Sequence, residues 1–443
     1  MHPPNRPSLR MESSFSATLT FAVLLLALGS ITSRLLAHAH DPPVRTTLLR
    51  TDWRHANLSP LAHHFSIAQH AQIGAGPCAS VRFAAFRFPL NAGLGSNLHV
   101  WAHALCHATA RGEVLLSQGQ RWLWRATKWC GERGAGTLLE CYFGRETRCK
   151  LPHVPPLVRL DFWERDAPGV VNVQEACDTS GMPVGSVMRA GIELLFSNLP
   201  DQVVSRASAA ASRVYGSDGA PRDLVSVHMR WGDKWRESAL LPAAAYVCAV
   251  HALRSHYRLA HDLTVFLTTE DPAALRAFRR VAPPSWHVVH YAPAVGQGDA
   301  WNPMRTHLDN STHAPMHDAL RSRGKSGLES LVALLLTLEA RLFVLHSGSN
   351  WGRLIDELRL ARLERQCGAS SPNCTMPLMA SLSAGDHGRT GHACSCTDTI
   401  DLSQPLVRDR VCSTCAEATH GAVASVRPET AASRRSKMRG CSP

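Results

Sequence analysis

Residues 224–362 alternate short apolar runs with longer stretches of helical spacing, and this alternation constrains the fold more than any other feature of the chain. Leu224–Met229, Leu263–Leu267, His287–His290 and Leu342–His346 read as strands. Pro242–Tyr257, Pro272–Val281, Gly327–Arg341 and Asn350–Arg362 read as helices between and after them. Strands joined through helices pair in parallel, which means an α/β fold. An earlier unit repeats the pattern: strand Val81–Phe88, the loop from Pro89 to Ser96, helix Asn97–Thr109 and strand Glu113–Leu116. Gly185–Tyr215 reads as one or two helices, and residues 117–180, rich in Trp and Cys, carry no clear period. The expected architecture is two Rossmann-like domains facing a cleft. The expected divisions are 1–40 tail and anchor, 41–79 stem, 80–215 first domain, 216–365 second domain and 366–443 an irregular Cys-rich tail.

With 45% hydrophobic residues in 443, the chain can bury a large core, which excludes wholesale disorder. The net charge of +12 comes from arginine, since Lys128, Lys150, Lys234, Lys325 and Lys437 are the only lysines. These cations are dispersed rather than clustered, which argues against nucleic acid as a partner and suits a small acidic ligand.

Residues 13–33 carry no charge, and Arg6, Arg10 and Arg34 flank them. A span of about 20 apolar residues crosses a bilayer, so a type II signal-anchor is expected. The small-x-small pattern Ala37-His38-Ala39 leaves a cleaved signal peptide as the alternative. Either route delivers the chain to the secretory lumen. Fourteen cysteines fit an oxidising compartment, and sequons stand at Asn57, Asn310 and Asn373. Cys394, Cys396, Cys412 and Cys415 have the spacing of zinc ligands, but in a lumen disulfides are the expectation and no metal site is assigned.

Four polar loops follow strand ends, where open α/β sheets bind ligands. The first holds Gly93, Gly95 and Ser96, whose backbone N–H groups at a helix start suit a phosphate. The second is the dense ionisable run His228, Arg230, Asp233, Lys234 and Glu237, in which an arginine can fork onto a diphosphate and a carboxylate can take a hydroxyl proton. The third, Glu270-Asp271-Pro272, offers ligand contacts but also reads as a helix cap. The fourth, His346 to Arg353, includes Ser349 and Asn350, and Ser349 also reads as a cap.

The block His228-Met-Arg230-x-x-Asp233-Lys234 resembles the His-Val-Arg-Arg-Thr-Asp-Lys motif of the α1,6-fucosyltransferases of N-glycan core fucosylation. Phe266–Pro272, Ala340–Arg353 and Asn91–His99 are similar to further blocks of that family, in the same order. The resemblance spans about 80–362. It implies a metal-independent, inverting glycosyltransferase of the Golgi membrane, single-pass type II with its catalytic part lumenal. No cofactor is implied beyond the donor GDP-fucose, and the acceptor is an N-glycan or glycoprotein. By position, Arg230 would hold the β-phosphate, helped by Gly95, Ser96 and Ser349, and His228 would contact guanine. Lys234 would serve the acceptor hydroxyl with Glu237 as base, an alignment that needs a one-residue deletion and also matches Pro242 and Tyr246 to a family Pro and Tyr. Glu270 and Asp271 would contact the acceptor. The chain departs from the family at Trp231, where a second arginine stands, at Ala333, where an aspartate stands, with Glu329 one turn earlier, and at Asn350, where a glutamine stands. The alternatives are a protein O-fucosyltransferase-like enzyme and a non-catalytic lumenal glycan-binding protein.

Overall fold

The computed structural model describes residues 58–70, 81–89, 92–118, 122–131, 137–146, 158–161, 170–172, 177, 184–232, 234, 240–292, 315–346, 348–367, 379–383 and 395–396. The chain divides into two compact units, 1–46 and 47–443, and all described residues lie in the second. The expected anchor, the three sequons, Asp233, Glu237, Cys394, Cys412 and Cys415 fall outside the described residues. No helix among the described residues is long and apolar enough to cross a membrane, and none of their side chains cluster as a metal site.

Two sheets form. In the first, β1 (Phe83–Phe86), β2 (Val114–Ser117), β3 (Val158–Asp161) and β4 (Val170–Asn172) run parallel in the order β2-β1-β3-β4. The second contains β5 (Val225–His228), β6 (Thr264–Thr268), β7 (His287–Val289), β8 (Leu342–His346), β9 (Met379–Ser383) and β10 (Ser395–Cys396). Its order is β10-β9-β8-β5-β6-β7, and β10 alone among these strands is antiparallel to its neighbour. Strand order therefore reverses at β5, with β8 on one side and β6 on the other.

The helices are α1 (Pro60–His70), α2 (Leu94–Ala110), α3 (Val184–Phe196), α4 (Asp201–Tyr215), α5 (Ala243–Tyr257), α6 (Pro272–Val281), α7 (Pro315–Arg321), α8 (Lys325–Thr337) and α9 (Asn350–Cys367). Single helical turns at Thr127–Cys130 and Glu140–Phe143 lie between β2 and β3.

The period of two along each strand decides what each face of the second sheet covers. Val225, Val227, Val265, Leu267, Leu342 and Val344 face one core, shared with Tyr246, Val250 and Leu253 of α5 and Phe278 of α6. The intervening Phe266, Phe343 and Leu345 face a second and larger core. That core also takes Phe86 and Leu115 from the first sheet and Leu98, Leu105, Ile192, Leu335 and Ile355 from the helices between the sheets. Because α9 leaves β8 and packs on both α2 and α3, the last loop of the second sheet is brought against the first loop of the first. Cys106 of α2 is disulfide-bonded to Cys177, and Cys130 to Cys141.

Several elements differ from the sequence expectation. The tail is not irregular throughout: β9 pairs with β8 in parallel, and its Leu382 is buried in the smaller core. Its two serines and lack of β-branched or aromatic residues hid it. Within the expected stem, α1 buries Ala62 and Phe65 in the larger core. Ser59 at its start donates to the buried Glu193 through both its N–H, at 3.0 Å, and its Oγ, at 2.6 Å. Gly185–Tyr215 forms two helices, and α7 stands between β7 and α8.

Candidate functional site

Parallel register brings three strand ends level. His228 stands opposite Thr268, and β8 continues beside β5 to end at His346. The strand-order reversal falls between β5 and β8, and a doubly wound sheet opens a crevice at such a point.

The glycine loop closes one wall of this place. Asn97, fully buried in α2, donates through Nδ2 to the carbonyls of Pro89, Ala92 and Gly93 at 3.4, 3.0 and 3.1 Å. Its Oδ1 accepts from Trp122 Nε1 at 3.1 Å, so this side chain shapes the loop that precedes the helix. Gly93 caps α2 without a side-chain hydrogen bond, which leaves the first-turn N–H groups without an intrahelical partner. A Cβ on Gly95 would lie 3.1 Å from the backbone of Asn350 and Trp351, so a side chain there would require α9 to give by a few tenths of an ångström. Ser96 Oγ accepts from Asn350 Nδ2 at 2.5 Å, and one turn on, His99 Nε2 meets Glu357 Oε2 at 2.9 Å. Two helix N-termini, each a positive dipole end, therefore meet at one point.

The floor is the pair of strand ends. His228 is 2% exposed, with Nε2 3.4 Å from Ser349 Oγ and Nδ1 3.5 Å from Thr268 Oγ1. Burial first, then the Arg230 guanidinium and His346, lower its pKa to about 3. His346 is also 2% exposed, and neither ring nitrogen has a hydrogen-bond partner among the described residues. Burial first, then the Lys234 ammonium, with Arg230 adding to it, lowers its pKa to about 4. Both imidazoles are neutral at physiological pH.

The loops after β5 and β6 are stitched together. Arg230 Nη1 donates to Glu270 Oε1 and, at 2.6 Å, to the carbonyl of Trp231. Gly232, at φ +62, donates its N–H to Asp271 Oδ2 at 3.2 Å. The other oxygen of Asp271 accepts from Ala273 N at 2.7 Å, which makes Asp271 the N-cap of α6 with Pro272 at the first helical position. Trp231 Nε1 donates to the carbonyl of Leu241 at 2.9 Å. Lys234 is 9% exposed.

The structure thus gathers Gly93, Gly95, Ser96, His228, Arg230, Lys234, Glu270, Asp271, Ser349 and Asn350 at one sheet edge. Tyr246 is fully buried in the smaller core beside Arg230: burial first raises its phenol pKa, a hydrogen bond with the Arg230 backbone acts against this, and the Glu270 and Arg230 charges also reach it. Glu329 pairs with Arg206 of α4 and accepts from Tyr291 Oη at 2.6 Å, so both its oxygens are engaged. Sequence reasoning placed His346 at the start of the fourth loop but gave it no role. The only signal was a histidine ending an apolar strand, which reads equally as a satisfied core residue.

No family model and no curated protein matches the chain. Among solved structures it is similar to a crystal structure of NodZ α-1,6-fucosyltransferase soaked with GDP-fucose, at 16% identity and a TM-score of 0.37, covering 71% of this chain and 98% of that one. It is also similar to a crystal structure of fucosyltransferase NodZ from Bradyrhizobium, at 16% identity and a TM-score of 0.34, covering 64% of this chain and 93% of that one. At those scores the likeness says nothing of what this chain binds.

Proposed function

We propose that the chain is a glycosyltransferase that transfers fucose from GDP-fucose to a glycan acceptor, of the α1,6 type and acting on N-glycans or glycoproteins. The observation that carries this is the meeting of two helix N-termini, Gly95–Ser96 and Ser349–Asn350, beside the Arg230 and Lys234 cations at the switch point of the sheet. Such a place suits a diphosphate, because N–H dipoles and fixed cations stabilise the charge that develops on it as it leaves. The ordered blocks around His228, Phe266 and Ala340 supply the rest of the reading, namely guanosine and fucose.

In this reaction the acceptor oxygen attacks the anomeric carbon of fucose as its bond to the β-phosphate breaks. The configuration inverts, GDP leaves with the bonding pair, and Glu237 takes the acceptor proton. Arg230 holds the β-phosphate, and Glu270 pairs with its guanidinium. His228 holds Ser349 toward the ligand, while Asp271 ties the second loop to α6. No metal is needed in this scheme, since fixed cations do its work. A Golgi location with an N-terminal anchor belongs to the same proposal, as do a first domain over 80–215 and a second over 216–365.

A thermal-shift series with GDP, GDP-fucose, UDP and ADP tests the reading. GDP and GDP-fucose should raise the midpoint and ADP should not. No response to either guanosine ligand removes the proposal, and a response to UDP alone reassigns the sugar nucleotide.

A further inference from the structure

His346 has a feature that phosphate binding by Arg230 does not use. It ends β8 with both ring nitrogens buried and, among the described residues, without a partner. Buried polar atoms in native proteins are otherwise hydrogen-bonded, so such a pair calls for an explanation. The following loop is built around the ring: a Cβ on Gly348 would lie 2.8 Å from His346 Cε1, and one on Gly352 would lie 2.4 Å from the His346 carbonyl oxygen. Ser349 N donates to that carbonyl at 3.1 Å, which fixes the turn. The loop therefore holds the imidazole in place, and among the described residues no other residue hydrogen-bonds its ring nitrogens.

The charges around it are named readily. From β5 and its loop come His228, Arg230 and Lys234, and both cations act on the ring. From the loop after β6 come Glu270, which pairs with Arg230, and Asp271, which caps α6. On α9, Arg353 donates to Asn350 Oδ1. The first turn of α2 holds no carboxylate. Among the described residues, Lys234 and Arg230 both act on the neutral imidazole and repel a proton there. A diphosphate in the same place reverses the sign of the field at the ring.

Resting on the reading of this edge as a diphosphate site, we infer that His346 is a proton-linked ligand contact: its imidazole takes up a proton as the diphosphate binds. The proton comes from solvent, no bond other than N–H forms, and proton and ligand leave together when the diphosphate departs. Binding at this site is therefore tighter in mildly acidic than in neutral solution. By linkage, GDP affinity gains up to about tenfold for each pH unit across the window in which uptake occurs.

The test is calorimetric titration of GDP into the full chain near pH 6, in two buffers of different ionisation heat, with wild type, His346→Gln and His346→Asn. GDP carries its own phosphate ionisation, so the difference between proteins is the quantity read. Wild type should take up ~0.5–1 more proton per GDP than either amide variant, and the variants should still bind GDP. Equal proton counts in wild type and variants overturn the inference while leaving the nucleotide site intact. If neither variant folds, the wild-type count corrected for GDP ionisation decides, and a value of zero overturns it. Failure of the wild type to bind GDP at all overturns both this inference and the function it rests on.

Discussion

His228 and His346 sit on neighbouring strands, buried and uncharged, and this has a consequence for stability without ligand. Their folded pKa values, about 3 and about 4, lie below the ~6.5 of an unfolded histidine. The unfolded chain then binds more protons below that pH, so stability is full above ~6.5 and is lost as pH falls toward 4. The loss should reach the order of a few kcal/mol. Chemical denaturation of the ligand-free protein at pH 7 and pH 5 checks this, and His346→Gln should flatten the dependence. Arg230 carries a different prediction. Losing a charge-assisted bond to phosphate costs roughly 1.5–3 kcal/mol, so Arg230→Ala should weaken GDP binding at least ~10-fold with the fold intact. Arg230→Lys should restore only part of it, because an ammonium cannot fork. A full-affinity alanine variant, measured by titration, would remove Arg230 from the site.

Among the elements, the two helix starts matter most. Gly95 lets α2 approach α9, and the Ser96–Asn350 hydrogen bond forms only at that separation. Gly95→Ala should push the pair apart by a few tenths of an ångström, costing ~1–3 kcal/mol in unfolding free energy and weakening GDP binding alongside. A variant unchanged in both measurements would show that the contact gives way without cost. The strands of this region were legible because they are apolar for four or five residues and bounded by polar loops. The site loops were legible because each follows such a strand. β3 and β4 were not, since Arg159 and Asp161 interrupt the apolar run of β3 and both strands lie in the aperiodic stretch 117–180. The helix α1 was hidden by its histidines, although Ala62 and Phe65 already occupy one face. The cap role of Asp271 was read from Asp-Pro, yet its second oxygen binds Gly232 across 39 positions, a contact that no local spacing reveals.

The whole molecule depends on pieces far apart in sequence. β9 extends the second sheet beyond β8 and buries Leu382, so the tail contributes to the sheet that carries the site. A chain ended at Cys367 should lose the ~1.5–3 kcal/mol of one buried leucine together with the β8–β9 ladder. Its midpoint should fall in a thermal scan, and an unchanged midpoint would make the tail dispensable. Reduction should destabilise as well. Cys106–Cys177 spans 71 positions, and a loop of that length is worth roughly 4 kcal/mol on the chain-entropy account.

The proposed transfer of fucose at this sheet edge can be observed through its products. It is tested most directly by incubating the purified chain with GDP-fucose and a panel of N-glycans and glycopeptides, then weighing the products by mass spectrometry. At least one acceptor should gain the mass of a single fucosyl residue, GDP should be released in equal amount, and Arg230→Ala should sharply reduce both. GDP-fucose bound with measurable affinity, while every acceptor keeps its mass, would contradict the proposal.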